Sequence, residues 1–128
     1  MPVLAGLAAS GDLRAQPAPS WRPGLQLYTV RDALGADLEG TLRSVAAIGY
    51  REVEVAGLPG VTAEAMQASL KRHGLDAPSM HAGYDRLQRG LDAVLEEARI
   101  LGVNYLVCPS VDAEERKTAE DWKESARR

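Results

Sequence analysis

Two residues at the ends of predicted strands are the strongest candidates for chemistry. Glu54 lies near the end of the second β-prone run, and His81 closes the third. Burying a carboxylate in the interior of a fold costs free energy unless it contacts a metal ion, a cation or a substrate. An imidazole at a strand end can ligate a metal ion, transfer a proton or hydrogen-bond a sugar hydroxyl. We predict that both line a pocket; a structural ion pair of Glu54 with Arg31 or Arg51 is the alternative.

Three further side chains could contact a substrate beside this pair. Gln26 and Tyr28 offer hydrogen bonds and a flat apolar surface to a sugar ring, and Arg31 in the following loop could meet a phosphate or a carboxylate. Cys108 has no evident activating partner and is interpreted as a small buried hydrophobe. His73 falls at a helix C-terminus, where contact with the helix dipole explains it without a function.

These candidates belong to a repeating pattern of short strands and longer helices. Strands are predicted over 25–30, 52–55, 78–81 and 105–108, and the period of roughly 25 residues matches one βα unit. Asp37, Thr62 and Asp85 mark helix starts, and Gly49, Gly74 and Gly102 mark helix ends. A fourth helix is predicted over 118–128. The chain therefore contains four consecutive βα units with parallel strands.

The polarity of the strands distinguishes an open sheet from a barrel. Strands buried on both faces of a doubly wound sheet read as continuous apolar runs, whereas three of these four alternate. The residues assigned to the polar face are Gln26, Tyr28, Glu52, Glu54, Ser79 and His81, and the apolar face carries Leu25, Leu27, Val53, Val55 and Met80. A barrel needs one apolar face toward its helices and admits polar groups inside its C-terminal rim. The fold class is therefore α/β, of the parallel (β/α)8 TIM barrel type, with only the first four βα units present as a half-barrel.

Composition limits the partners of the chain. Its 128 residues are 45% apolar and 26% charged, with a formal net charge of -3, as in one globular domain. The mild acidity gives no basic footprint for nucleic acid or an anionic membrane, and no stretch approaches the roughly 20 apolar residues of a membrane span. A small neutral or anionic substrate stays open as a partner.

The first 23 residues differ from the rest in composition. They are rich in Pro, Ala and Gly without periodicity, so residues 1–23 are interpreted as a disordered tail or a leader remnant, and 24–128 as the domain. A leader remnant would indicate export, for example to a bacterial periplasm, and a tail would leave a cytoplasmic location open.

Four segments together resemble a known family. They are residues 25–32 (LQLYTVRD), 48–54 (IGYREVE), 77–81 (APSMH) and 114–118 (EERKT). In combination they resemble the N-terminal half of sugar phosphate isomerases/epimerases of the xylose isomerase-like TIM barrel superfamily, over residues 24–128.

The resemblance implies a divalent metal, Mn, Mg or Zn, that assists proton transfer beside a sugar carbonyl in a full-length barrel. The usual metal ligands of that family come from later strands, so we do not expect this chain alone to bind the metal or to be active. His81 matches a position that ligates metal in endonuclease-like relatives and contacts substrate in sugar-acting ones, and Glu54 matches the glutamate that commonly ends strand two. Two alternatives stay open: an endonuclease-like member of the superfamily, and a non-catalytic half-barrel that self-associates through its open sheet edges.

Overall fold

A parallel sheet of four strands forms one layer of the structure, a computed structural model that describes residues 22–127. The strands are β1 (Gly24–Gln26), β2 (Glu52–Val55), β3 (Asp76–His81) and β4 (Tyr105–Val107), and they are adjacent in chain order. Each consecutive pair is parallel. This is the first half of the (β/α)8 arrangement that the sequence predicts. Residues 1–21 of the predicted tail or leader lie outside the described part.

In the described part of the chain, five α-helices connect or follow the strands. They are α1 (Arg31–Ala36), α2 (Leu38–Ile48), α3 (Ala63–Arg72), α4 (Tyr84–Leu101) and α5 (Ala119–Arg127). The Asp37 carboxylate accepts a hydrogen bond from the Gly40 amide, and the Thr62 hydroxyl accepts one from Ala65, which satisfies amides that have no partner inside the helix. Gly102 ends α4 with φ of 74°. The predicted helix starts at 37 and 62 are confirmed.

The first strand is shorter than its sequence predicts. Residues Leu27–Val30 form a 3₁₀ helix that leads directly into α1. Leu27 and Leu34 are both buried, and Val30 packs against the same core, so the apolar residues of this segment follow a helical spacing rather than the alternation of a strand. The prediction of a strand over 27–30, and with it the placement of Tyr28 on the sheet, is wrong.

The core lies between the sheet and the helices. Val53, Val55 and Met80 point toward the helices and are at most 1% exposed. The helices meet them mainly with the buried side chains Leu42, Val45, Met66, Leu70 and Leu101. The predicted apolar face of the sheet is therefore the packed face. Ile48, the last residue of α2, is 76% exposed, because it lies on the flank of the helix beyond Val45.

A polar cluster joins α2 to α3 on the outer layer. The Glu39 carboxylate accepts hydrogen bonds from the Ser69 hydroxyl (2.6 Å) and from Arg72, and lies 2.8 Å from His73 Nε2. These bonds, that of Ser69 first, lower the pKa of Glu39 to about 2. The interpretation of His73 as a dipole contact alone is therefore incomplete, since its ring contacts a carboxylate of the neighbouring helix.

Within residues 22–127, none of the helices combines the length and the apolar character that crossing a membrane requires.

We predict that Glu39→Gln lowers the free energy of unfolding at pH 7. Because the folded-state pKa of Glu39 lies below its ordinary value of about 4.3, its contribution is present above that value and declines as pH falls toward about 2. Urea denaturation from pH 7 to pH 2.5 should therefore show the variant and wild type converging in acid. Glu120→Gln is the control, because it removes a carboxylate that forms an exposed ion pair with Lys123 on α5. A constant difference at all pH values would contradict the assignment.

Candidate functional site

Four polar side chains lie together on the face of the sheet that turns away from the helices. Gln26 is the last residue of β1, Glu54 lies on β2, and Ser79 and His81 both lie on β3, which His81 ends. The register pairs Gln26 with Glu54 and Glu54 with Ser79. Because carboxyl ends of parallel strands carry the active sites of barrel enzymes, this is the end of the sheet where a site is expected.

An irregularity in β3 helps to set this alignment. The pairing shifts between Glu52, which faces Asp76, and Glu54, which faces Ser79. Pro78 lies in this stretch and has no amide hydrogen to donate to a neighbouring strand. One extra residue on β3 therefore separates the two pairs, and the shift brings the Ser79 hydroxyl opposite the Glu54 carboxylate.

Glu54 is the centre of the hydrogen-bond network. Its Oε2 accepts from the Ser79 hydroxyl at 2.7 Å, and its Oε1 accepts from Gln26 Nε2 at 3.1 Å. His81 Nε2 lies 2.8 Å from the same Oε1 and 3.2 Å from Gln26 Nε2. The Glu54 and His81 side chains are 24% and 17% exposed, so the pair is largely shielded but still reaches solvent.

The network keeps Glu54 ionised. Burial by itself raises the pKa of this carboxyl, but hydrogen bonds from Ser79 and Gln26 and the charge of His81 outweigh burial and lower the pKa below its ordinary value. Arg31 and Arg51 contribute nothing here: Arg31 donates to the Tyr28 carbonyl, and Arg51 to the carbonyls of Ala46 and Tyr50. The ion pair of Glu54 with either arginine, which the sequence left open, is wrong.

A cleft of about 450 Å³ opens beside the network. Gln26, His81 and Tyr28 line it, together with Arg86 and Ser110. The exposed ring of Tyr28 reaches the cleft from the 3₁₀ helix rather than from a strand. Arg31 lies outside it: its guanidinium stacks 4.5 Å from the centre of the Tyr28 ring and lines an adjacent apolar hollow with Leu34 and Leu58. Of the predicted residues, Gln26, Tyr28 and His81 thus line the cleft, and Arg31 borders it. Contrary to the sequence prediction, Glu54 does not line the cleft and contacts it only through its bonds to Gln26 and His81.

Glu54 and His81 are the side chains of the site that could ligate a metal ion. Among residues 22–127, no group of three or more His, Cys, Asp or Glu side chains is placed to hold one. The two candidates also contact each other directly. The described residues therefore do not by themselves make a metal site, and metal binding by a complete barrel stays a prediction.

Sequence reasoning missed two contributors and misjudged one cysteine. The sequence assigns Ser79 to the polar face without a role, whereas in the structure its hydroxyl donates to Glu54. Arg86, in the first turn of α4, lines the cleft, and both carboxylate oxygens of Glu97 accept hydrogen bonds from its guanidinium at 2.9 Å. Its place in the sequence, just after the third strand, indicates a position at this end of the sheet. Cys108 is exposed rather than buried.

We predict that Ser79→Ala raises the pKa of Glu54, because the variant removes a hydrogen bond to the ionised form. Carboxyl ¹³C NMR titration should place the wild-type pKa below the ordinary value of about 4.3 and that of the variant higher. Ser110→Ala, which truncates an exposed serine at the other side of the cleft, should leave the value unchanged. An unchanged pKa in Ser79→Ala would show that this hydroxyl does not bond the carboxylate.

Comparison with known proteins supports the fold. No family model matches the chain, and no curated protein matches it. Among solved structures, the crystal structure of a sugar phosphate isomerase/epimerase from Parabacteroides distasonis is similar, with a TM-score of 0.60 and 21% sequence identity. The match covers 70% of this chain and 43% of that one, so the chain spans less than half the length of the protein that it resembles. Over the matched part, this chain has the fold of part of that protein.

Proposed function

We propose that the site binds a small sugar-like substrate and contributes half of the pocket of an isomerase or epimerase. The observation that carries the proposal is the contact of Glu54 with His81, held by Gln26 and Ser79 beside a cleft at the carboxyl ends of the strands. Sugar hydroxyls both donate and accept hydrogen bonds, and this network offers them a carboxylate, an imidazole and an amide. The similarity of the fold to that of a sugar phosphate isomerase/epimerase supports the same class of substrate.

The chemistry proposed for the complete pocket is proton transfer beside a sugar carbonyl. An ionised carboxylate can accept a proton or a hydroxyl hydrogen bond at neutral pH, and the lowered pKa of Glu54 keeps it in that state. His81 contacts Glu54 through Nε2 and can exchange that partner for a substrate oxygen. Tyr28 supplies an exposed ring at the mouth of the cleft for an apolar face of the sugar.

A divalent metal is part of the proposal only for a complete barrel. Such an ion would polarise the sugar carbonyl and stabilise the developing negative charge. Glu54 and His81 provide at most two ligands among the described residues, so no step is assigned to a metal on this chain.

We predict weak binding of free sugars to the 128-residue chain, with a Kd on the order of 1 mM or higher, because half a pocket buries little of the ligand. ¹H–¹⁵N NMR with D-xylose, D-ribose and D-fructose, each against glycerol, should shift signals of Gln26, Glu54 and His81. Glu54→Gln should weaken these shifts.

Glu52→Gln is the matched control, because it makes the same change two residues earlier on the same strand. Sugar binding should survive in it. Shifts that are absent with all three sugars, or that are unaffected by Glu54→Gln, would contradict the proposed function.

A further inference from the structure

We propose that Glu97 makes Arg86 a hydroxyl-binding residue, so that this side of the cleft receives the uncharged part of a sugar and rejects a phosphate ester. The inference rests on the proposed function, because it names which sugars the same site takes. Arg86 lines the cleft and contacts the ligand. Glu97 is bonded to Arg86 and acts through it as a positioning residue.

The contact between Arg86 and Glu97 spans a bend in α4. The two residues are 11 positions apart, which is about 16 Å along a straight helix and farther than their side chains can bridge. Gly90 interrupts the helix between them, with φ of -156° and ψ of 48°. The bend brings the two side chains together, and Arg86 Nη2 donates to both carboxylate oxygens of Glu97 at 2.9 Å. The pair is therefore a contact between two arms of α4 and does not depend on strands beyond β4.

Arg86 has hydrogen-bond donors left for a ligand. A guanidinium carries five N–H groups and accepts no hydrogen bond. Glu97 is bonded to Nη2, and within residues 22–127 no acceptor is bonded to Nε or Nη1. The Arg86 side chain is 48% exposed and lines the cleft with Gln26 and His81. Ligand oxygen atoms are the acceptors that Arg86 can bind there.

The charges around the cleft favour ligand oxygens that carry no negative charge. The carboxylate of Glu97 balances the charge of Arg86, and the ionised Glu54 contacts His81. The other polar side chains of the lining are uncharged: Gln26, Tyr28 and Ser110. A sugar hydroxyl can accept from Arg86 without repulsion, whereas a phosphate ester carries a charge of about -1.5 to -2 at pH 7. Such a group would lie near two carboxylates, and like charges repel.

Arg31 does not change this balance, because it is engaged outside the cleft. Its guanidinium donates to the Tyr28 carbonyl and stacks 4.5 Å from the centre of the Tyr28 ring. Its Nε also lies 3.9 Å from a carboxylate oxygen of Asp32. Arg31 lines the adjacent apolar hollow and not the cleft. Among the described residues, Arg86 is therefore the arginine that a ligand in the cleft meets.

The first test measures binding of inorganic phosphate by the side-chain Nε–Hε NMR signal of Arg86 at pH 7. Glu97→Gln should bind phosphate at least about fivefold more tightly than wild type, the factor that one exposed ion pair supplies. Glu96→Gln is the matched control, because Glu96 precedes Glu97 and pairs with Arg99; it should behave as wild type. Equal phosphate affinity in wild type and Glu97→Gln would overturn the proposal.

The second test compares D-ribose with D-ribose 5-phosphate. In wild type, D-ribose should shift the Arg86 signal together with those of Gln26 and His81, and D-ribose 5-phosphate should bind more weakly. Glu97→Gln should reverse this order, because its Arg86 charge is no longer balanced. Tighter binding of the phosphate ester by wild type would contradict the proposed specificity.

Arg86→Gln provides a test that does not require Glu97→Gln to fold, with folding of each variant checked by circular dichroism. It should weaken D-ribose binding about tenfold, the loss expected for a hydrogen bond to a charged group, read from the signals of Gln26 and His81. If D-ribose shifts those two signals and leaves that of Arg86 unmoved in wild type, this inference fails and the proposed function stands. If no sugar shifts any of them, the proposed function fails, and the phosphate experiment still decides the role of Glu97.

Discussion

The packing of one face of a short parallel sheet against helices is the constraint on which the rest of the structure depends. Val53, Val55 and Met80 are buried against the helices, and successive side chains of a strand point to opposite faces. Once these residues are fixed, Glu54, Ser79 and His81 must point the other way. The polar network is thus a consequence of core packing, and a shift of one residue in either strand would exchange the two faces.

On the polar face, hydrogen bonds determine the ionisation of Glu54. A carboxylate in a partly shielded position would ordinarily become harder to ionise. Ser79 and Gln26 reverse this tendency for Glu54 by donating to its two oxygens, and His81 adds a favourable contact. The result is an ionised carboxylate in direct contact with an imidazole that lines the cleft. The same open face also leaves Tyr105 exposed.

Much of the fold could be predicted from periodicity and caps. The strand containing Glu54 matches its predicted bounds, and the helix that Asp37 caps begins and ends where expected, because local hydrogen bonds and a glycine at positive φ decide those points. The segment after Gln26 could not be predicted so well. Its apolar residues suit a strand by type, and only tertiary packing of Leu27 and Leu34 selects the helical path. For the site, alternation predicted that Gln26, Glu54 and His81 share a face. It could not predict the shift near Pro78 that brings Ser79 to Glu54, since that pairing joins distant segments. Nor could it predict that Arg31 turns back onto Tyr28, because that local contact requires the helical path of residues 27–31.

The central claim is that Glu54 and His81 act as one unit on the open face of the sheet. A double-mutant cycle on the free energy of unfolding tests this most directly, with Glu54→Gln, His81→Asn and the double variant compared with wild type at pH 6 and low salt. The contact of 2.8 Å predicts a coupling energy of about 1 kcal/mol between the two positions. Effects that add to within about 0.3 kcal/mol would contradict the account, because residues that do not touch behave independently.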